Sequence, residues 1–231
     1  MDSASNARTE GKLAAYVSPM LAFVGFLGLV SLLKMTGSSA AWLRAPEYWV
    51  YPLQTLVCGA LLLWFRPRYE MHRLAGLPFV VLIAVGVFLL WIAPQSFLGF
   101  GARSEGFNPD LFADNPAAYW ATVLLRFLRL VIVVPLVEEI FWRGFLLRYF
   151  INEKFDAVPF GAFSWLSFAV VTLGFTLAHS TADWPAAALT GALYNLVAYR
   201  TRSLSSCVLA HALTNLLLGG WIMTTKQWGF W

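Results

Sequence analysis

Long apolar runs separated by short polar stretches set the outline of this chain. Residues 13–33, 48–65, 74–94, 119–137, 158–178, 184–199 and 204–223 are each predominantly apolar. About 20 apolar residues suffice for a helix to cross the hydrocarbon core of a bilayer. The pattern therefore predicts an all-α, polytopic transmembrane helical bundle of about seven spans, or eight. Residues 1–12 read as a loose polar tail and 224–231 as a C-terminal tail. Residues 13–118 form a first transmembrane region of about three spans. Its long loop, 95–118, is rich in Gly, Asn, Asp and Pro. Residues 119–223 form a second unit of packed spans, and the chain shows no internal repeat.

Composition sharpens this picture. Hydrophobic residues make up 59% of the 231 and charged residues only 12%. Soluble domains carry roughly 25% charged residues, so the chain belongs in a membrane. The first run is 21 residues long, longer than the signal-peptide core of about 7–15, and reads as a permanent span. Net charge is +4 without a basic stripe, which gives no footing for nucleic acid. Cys58 and Cys207 both lie in apolar runs and read as small buried hydrophobes.

Orientation follows from Lys and Arg in the loops. With the N-terminus inside and seven spans, the inner segments hold Arg8, Lys12, Arg66, Arg68, Arg73, Arg148, Lys154, Arg200 and Arg202. The outer segments hold Lys34, Arg44, Arg103 and Lys226. Nine against four places the N-terminus in the cytoplasm. Arg126, Arg129 and Arg143 remain inside apolar runs. Arg126 and Arg129 have two readings, recognition of a substrate carboxylate or snorkelling to the interface, and snorkelling is favoured because long basic side chains near span ends commonly do this.

The chemistry concentrates in the second half. Val134-Pro135-Leu136-Val137-Glu138-Glu139-Ile140-Phe141-Trp142-Arg143-Gly144 sets two carboxylates and a guanidinium in an apolar run. Ionisable groups at such depth face a protein interior or a wet cavity and serve a function. Glu139 and Arg143 are four apart and can pair along one helix face. Glu138 projects about 100° away from Glu139, lacks that partner and is free to act. His179 ends Phe175-Thr176-Leu177-Ala178-His179, and Phe175 sits one turn before it. His211 and Asn215 share a face, whereas His72 lies in a basic loop and reads as solvated. Together these groups supply a base, two imidazoles, an amide and a cation, an inventory suited to polarising a carbonyl and activating water. Their depths agree only if the run containing His179 begins its helix later than Val158, or if the site is a vertical cleft.

Glu138-Glu139-x-x-x-Arg143, Phe175-x-x-x-His179 and His211-x-x-x-Asn215, in that order, resemble the CPBP family. That family comprises type II CAAX prenyl endopeptidases, their prokaryotic relatives and bacteriocin self-immunity proteins. Pro135 and Gly144 also fit, and the resemblance covers about residues 119–220. It implies an intramembrane glutamate protease that hydrolyses a peptide bond near the membrane. In that scheme Glu138 activates water with His179 as partner, and His211 and Asn215 stabilise the oxyanion. Glu139, Arg143 and Phe175 support them. No cofactor is expected. The alternative is a zinc metalloendopeptidase, since Glu138, His179 and His211 are the ligand types of a catalytic zinc; the absence of His-Glu-x-x-His weighs against it. A non-enzymatic immunity or scaffold protein and a proton-coupled transporter are the other function classes, though no inverted repeat points to transport. The expected partners are membrane lipids and a membrane-associated protein or peptide substrate. The expected location is the cytoplasmic (inner) membrane of a bacterium.

Overall fold

The computed structural model describes residues 2–37 and 40–231. Its main helices are α1 (Asp2–Met35), α2 (Glu47–Phe65), α3 (Leu77–Phe97), α4 (Pro116–Tyr149), α5 (Trp165–Leu177), α6 (Trp184–Thr201) and α7 (Leu204–Thr225). No strand occurs among the described residues. The all-α expectation holds. Five helices are long and apolar enough to cross a membrane; α5 is apolar but shorter. Together the helices form an integral membrane bundle.

Local chemistry explains the boundaries. Asn115 caps α4, accepting from the Ala118 amide at 3.1 Å, with Pro116 following it at the helix start. Proline suits that position because its missing N–H would have no helical partner there. Ser203 caps α7 in the same manner, accepting from Ser206 N at 3.2 Å. Two expectations are corrected. α1 begins at Asp2, so residues 2–12 are helical and not a loose tail. α5 begins at Trp165 and not at Val158. The intervening Val158-Pro159-Phe160-Gly161 resists helix, because the residue before a proline avoids the α region and Gly161 adopts φ +81°. Val158 and Phe160 are nonetheless buried, which is why the run looked like part of a span.

Contacts sort the loops onto two faces. On one face, Lys12 pairs with Glu70 at 3.2 Å and Asp156 at 3.6 Å, and Arg148 pairs with Glu70 at 2.8 Å. Ser203 donates to the Arg73 carbonyl on that face. On the other, Lys34 meets Glu47, Arg103 meets Asp183, and Lys226 meets Asp110. Successive helix ends therefore alternate between these two faces. The core forms where α4 threads between α1 and α7, with α5 and α6 packed beyond it.

Candidate active site

α4 carries the two glutamates, and its backbone is irregular on either side of them. Leu128–Val133 and Ile140–Leu146 are π-helical, and Val134–Glu139 between them is α-helical. Single π turns inside α-helices are frequent at functional sites. The first has an identifiable chemical setting. Val134 N–H bonds to the Arg129 carbonyl, five residues back. In that register the Leu130 carbonyl would receive the N–H of residue 135, which is a proline and has none. Asn215 of α7 fills the gap, donating Nδ2–H to the Leu130 oxygen at 2.8 Å. An unpaired backbone carbonyl in an apolar interior is costly, so Asn215 and Pro135 are linked across two helices.

Glu139 is fully enclosed. Its Oε1 accepts from Arg143 Nη1 at 3.0 Å and from His211 Nδ1 at 2.9 Å. Arg143, also 0% exposed, donates Nε to Asn195 Oδ1 and Nη2 to the Gly191 carbonyl, each at 3.1 Å. Its guanidinium lies over the rings of Phe175 and Tyr194, 5.0 and 5.4 Å from their centroids. A single ion pair thereby ties α4, α6 and α7 together. The expected pairing of Glu139 with Arg143 is present, and His211 joins it.

Glu138 faces elsewhere. It lines a cavity of about 340 Å³ together with His179, His211, Asn215, Arg129 and Tyr194. Its Oε2 is buried and has no hydrogen-bond partner. His179 follows the C-terminus of α5, which reconciles its depth with a helix that starts late. Its Nδ1–H donates to the Phe175 carbonyl at 2.7 Å, because a carbonyl can only accept. The Phe175 ring packs on the imidazole at 4.7 Å between centroids. In both histidines, therefore, Nδ1 is occupied and Nε2 is the nitrogen left for a ligand. Tyr194 stacks on His211 at 5.2 Å and donates to Thr214 Oγ1 at 2.8 Å, fixing that side of the cavity.

All four expected catalytic residues thus line one cavity. Sequence reasoning missed Tyr194 and Asn195, adjacent polar residues in the apolar run of α6 that could have drawn attention. The snorkelling expectation for Arg126 and Arg129 is overturned. They are 4% and 6% exposed, because α4 presents them inward to α2 and the 98–115 loop. Among the described residues, no three His, Cys, Asp or Glu side chains are grouped to hold a metal ion.

The cavity is roofed by the face bearing Arg103 and the C-terminus. Arg103 pairs with Asp183 at 2.6 Å, its carbonyl accepts from Gly229 N at 2.9 Å, and its guanidinium lies 4.5 Å from the Phe230 ring centroid.

Fold and site together define an all-helical integral membrane protein with a carboxylate and two imidazoles facing an internal cavity. Residues 120–217 match the family model described as Type II CAAX prenyl endopeptidase Rce1-like, so this segment is similar to that family. The matched region runs from the second turn of α4 through most of α7 and contains Arg129, Glu138, His179, Tyr194, His211 and Asn215 but not Arg103. No curated protein and no solved structure matches the chain.

Proposed function

We propose that the protein is an endopeptidase in which Glu138 activates the water that attacks a peptide carbonyl. The observation that carries this reading is the difference between the two neighbouring carboxylates. Glu139 is ion-paired with Arg143 and accepts from His211 through Oε1, whereas Glu138, at a cavity wall, has no ion-pair partner and a buried Oε2 without a hydrogen bond. A positioned carboxylate within reach of water serves as general base. The proton that Glu138 takes is returned to the leaving amine as the bond breaks. His179 Nε2 accepts a hydrogen bond from the attacking water and orients it. His211, when both ring nitrogens carry protons, donates Nε2–H to the developing oxyanion, and donors aimed at that charge are usually the largest catalytic term. Asn215 is assigned as a positioning residue, with one amide hydrogen committed to Leu130 and the other available to the cavity.

The substrate is a membrane-associated peptide or protein. The roof of Arg103, Asp183 and residues 229–231 belongs to the face with fewer cations, so by the positive-inside rule the cavity lies toward the non-cytoplasmic side and the N-terminus lies inside. The reaction needs no metal in this scheme.

The test compares wild type with Glu138→Gln, using membrane proteomics to find an uncleaved precursor and then a peptide spanning its cleavage site. Cleavage by the purified variant should fall about 10²–10⁴-fold with abundance and thermal stability unchanged, and wild-type cleavage should survive exhaustive chelation. Normal cleavage by Glu138→Gln refutes the assignment, and activity lost to chelator and restored by zinc replaces it with a metal mechanism.

A further inference from the structure

Arg126 is a buried cation without a counter-ion. It is 4% exposed, and its Nε and Nη1 have no hydrogen-bond partner. No carboxylate pairs with it among the described residues. Its neighbours are rings: Phe107, Tyr51 and Trp231, with centroids 4.6, 5.1 and 6.0 Å from the guanidinium carbon. Ring faces attract a cation, but they do not supply the in-plane acceptors that guanidinium N–H groups require. Arg129, one turn along, lines the same second cavity as Arg126 but is already partnered. Its Nε donates to Gln54 Oε1 at 2.8 Å, and it also lines the cavity of Glu138, which provides an opposite charge. Of the two guanidiniums, that of Arg126 is the one with unpartnered N–H groups.

Arg126 lines a second cavity of about 250 Å³ between α2, α4 and the 98–115 loop. Three features of that cavity identify what fits it. It lies near the helix ends, between Tyr48 in the first turn of α2 and Ala121 in the second turn of α4. The exposed Trp49 and Trp120 on the same helices mark that level as the interface, where tryptophan concentrates. Ala121 both lines the cavity and is exposed on the outer surface of α4, so the cavity opens sideways. Beyond the opening, Leu53, Leu56, Leu124 and Leu128 face outward, toward hydrocarbon. The lining contains hydroxyls from Tyr48, Tyr51, Thr55 and Thr122 but no acidic residue; Tyr48 and Thr55 donate to the Asn108 and Tyr51 carbonyls, which leaves the hydroxyls of Tyr51 and Thr122.

We propose that this cavity binds the phosphate of an anionic phospholipid. The phosphodiester carries one negative charge, matching the one unneutralised guanidinium, and supplies acceptors for its free N–H groups. The acyl chains lie along the exposed leucines. The absence of an acidic group leaves nothing to receive a choline or ethanolamine nitrogen, which selects a headgroup without a cation, and the hydroxyls suit one that carries its own. The bound lipid would brace the start of α4, the helix that presents Glu138.

The test uses full-length protein, delipidated in neutral detergent, with diheptanoyl phosphatidylglycerol as the probe and native mass spectrometry as the readout. Wild type should bind the probe at least about tenfold more tightly than Arg126→Met, since hydrogen bonds to charged groups carry such differences. Ala121→Trp, which narrows the opening and leaves Arg126 in place, should lose binding similarly, and it carries the test alone if Arg126→Met does not fold. Diheptanoyl phosphatidylcholine should bind more weakly, and inorganic phosphate should not compete. Equal binding by wild type and both variants overturns the proposal. Competition by inorganic phosphate at the probe's concentration reveals a free-anion site, and binding of a tripeptide carboxylate in preference to the lipid reveals a substrate-end site; either result overturns it as well.

Discussion

Asn215→Ala, made in the wild type and again beside Pro135→Ala, tests whether the amide of Asn215 serves the backbone of α4. In the wild type the substitution removes the 2.8 Å bond to the Leu130 carbonyl and orphans that oxygen, because residue 135 has no N–H to offer. A buried acceptor left unpaired costs about 1–3 kcal/mol, while hydrogen bonds between transmembrane helices average about 0.6. Leu130 and Asn215 both line the cavity, so water can reach the carbonyl, and a cost of about 1 kcal/mol follows. For a chain of this size that lowers Tm by about 2–4 °C. With Pro135→Ala the helix regains a donor for Leu130, and the cost of Asn215→Ala should shrink by at least about 0.5 kcal/mol, the usual coupling of residues that share a partner. Thermal unfolding of the four proteins in detergent measures this cycle, and peptide cleavage extends it. A positioning role makes part of any lost activity recoverable by Pro135→Ala. A direct oxyanion donor costs about 10²–10³ in kcat whatever stands at 135. Equal Tm losses in the two backgrounds would refute the backbone role.

Glu139→Gln should destabilise by about 3–5 kcal/mol, the cost of breaking one half of a buried pair, and adding Arg143→Met should restore part of the lost Tm; no recovery would mean the pair is not the source. Glu70 gives a pH dependence on the basic face: burial pushes its carboxyl up, but Arg148 and Lys12 outweigh burial and hold it below its ordinary 4.5. A depressed carboxyl stabilises the fold above its unfolded value and loses that contribution as pH falls through the folded one. Tm should therefore drop on acidification below about pH 4.5, and Glu70→Gln should flatten that drop; an unchanged profile counts against the Arg148 contact. A reporter fused after Arg68 should read cytoplasmic and one after Asp110 external, and the opposite pair reverses the orientation.

The separation of the two glutamates was legible because it rests on a local rule. Four residues along a helix align Glu139 with Arg143 whatever surrounds them, and Glu138 is turned away by the same geometry. The span pattern was legible for a similar reason, since hydrocarbon imposes length and polarity on each helix separately. What escaped depends on how helices meet. His211 and Asn215 share a face, yet the sequence does not show that His211 reaches Glu139, which requires α7 to pack against α4 at one register. Nor does it show that Asn215 reaches Leu130, which depends on a π turn upstream of a proline.

Arg126 and Arg129 make the same point about energy. A basic residue in an apolar run can extend to the interface or turn inward, and both outcomes leave the same letters in the sequence. The decision belongs to α2 and the 98–115 loop, which bring Gln54, Tyr51 and Phe107 around the two guanidiniums. Turning inward is tolerable only where the charge finds compensation. Arg129 finds it within the protein, in Gln54 and in the Glu138 cavity that it shares. Arg126 is packed among rings with its Nε and Nη1 unpartnered, and on the proposal made above a bilayer anion supplies the acceptors at the depth where the cavity opens.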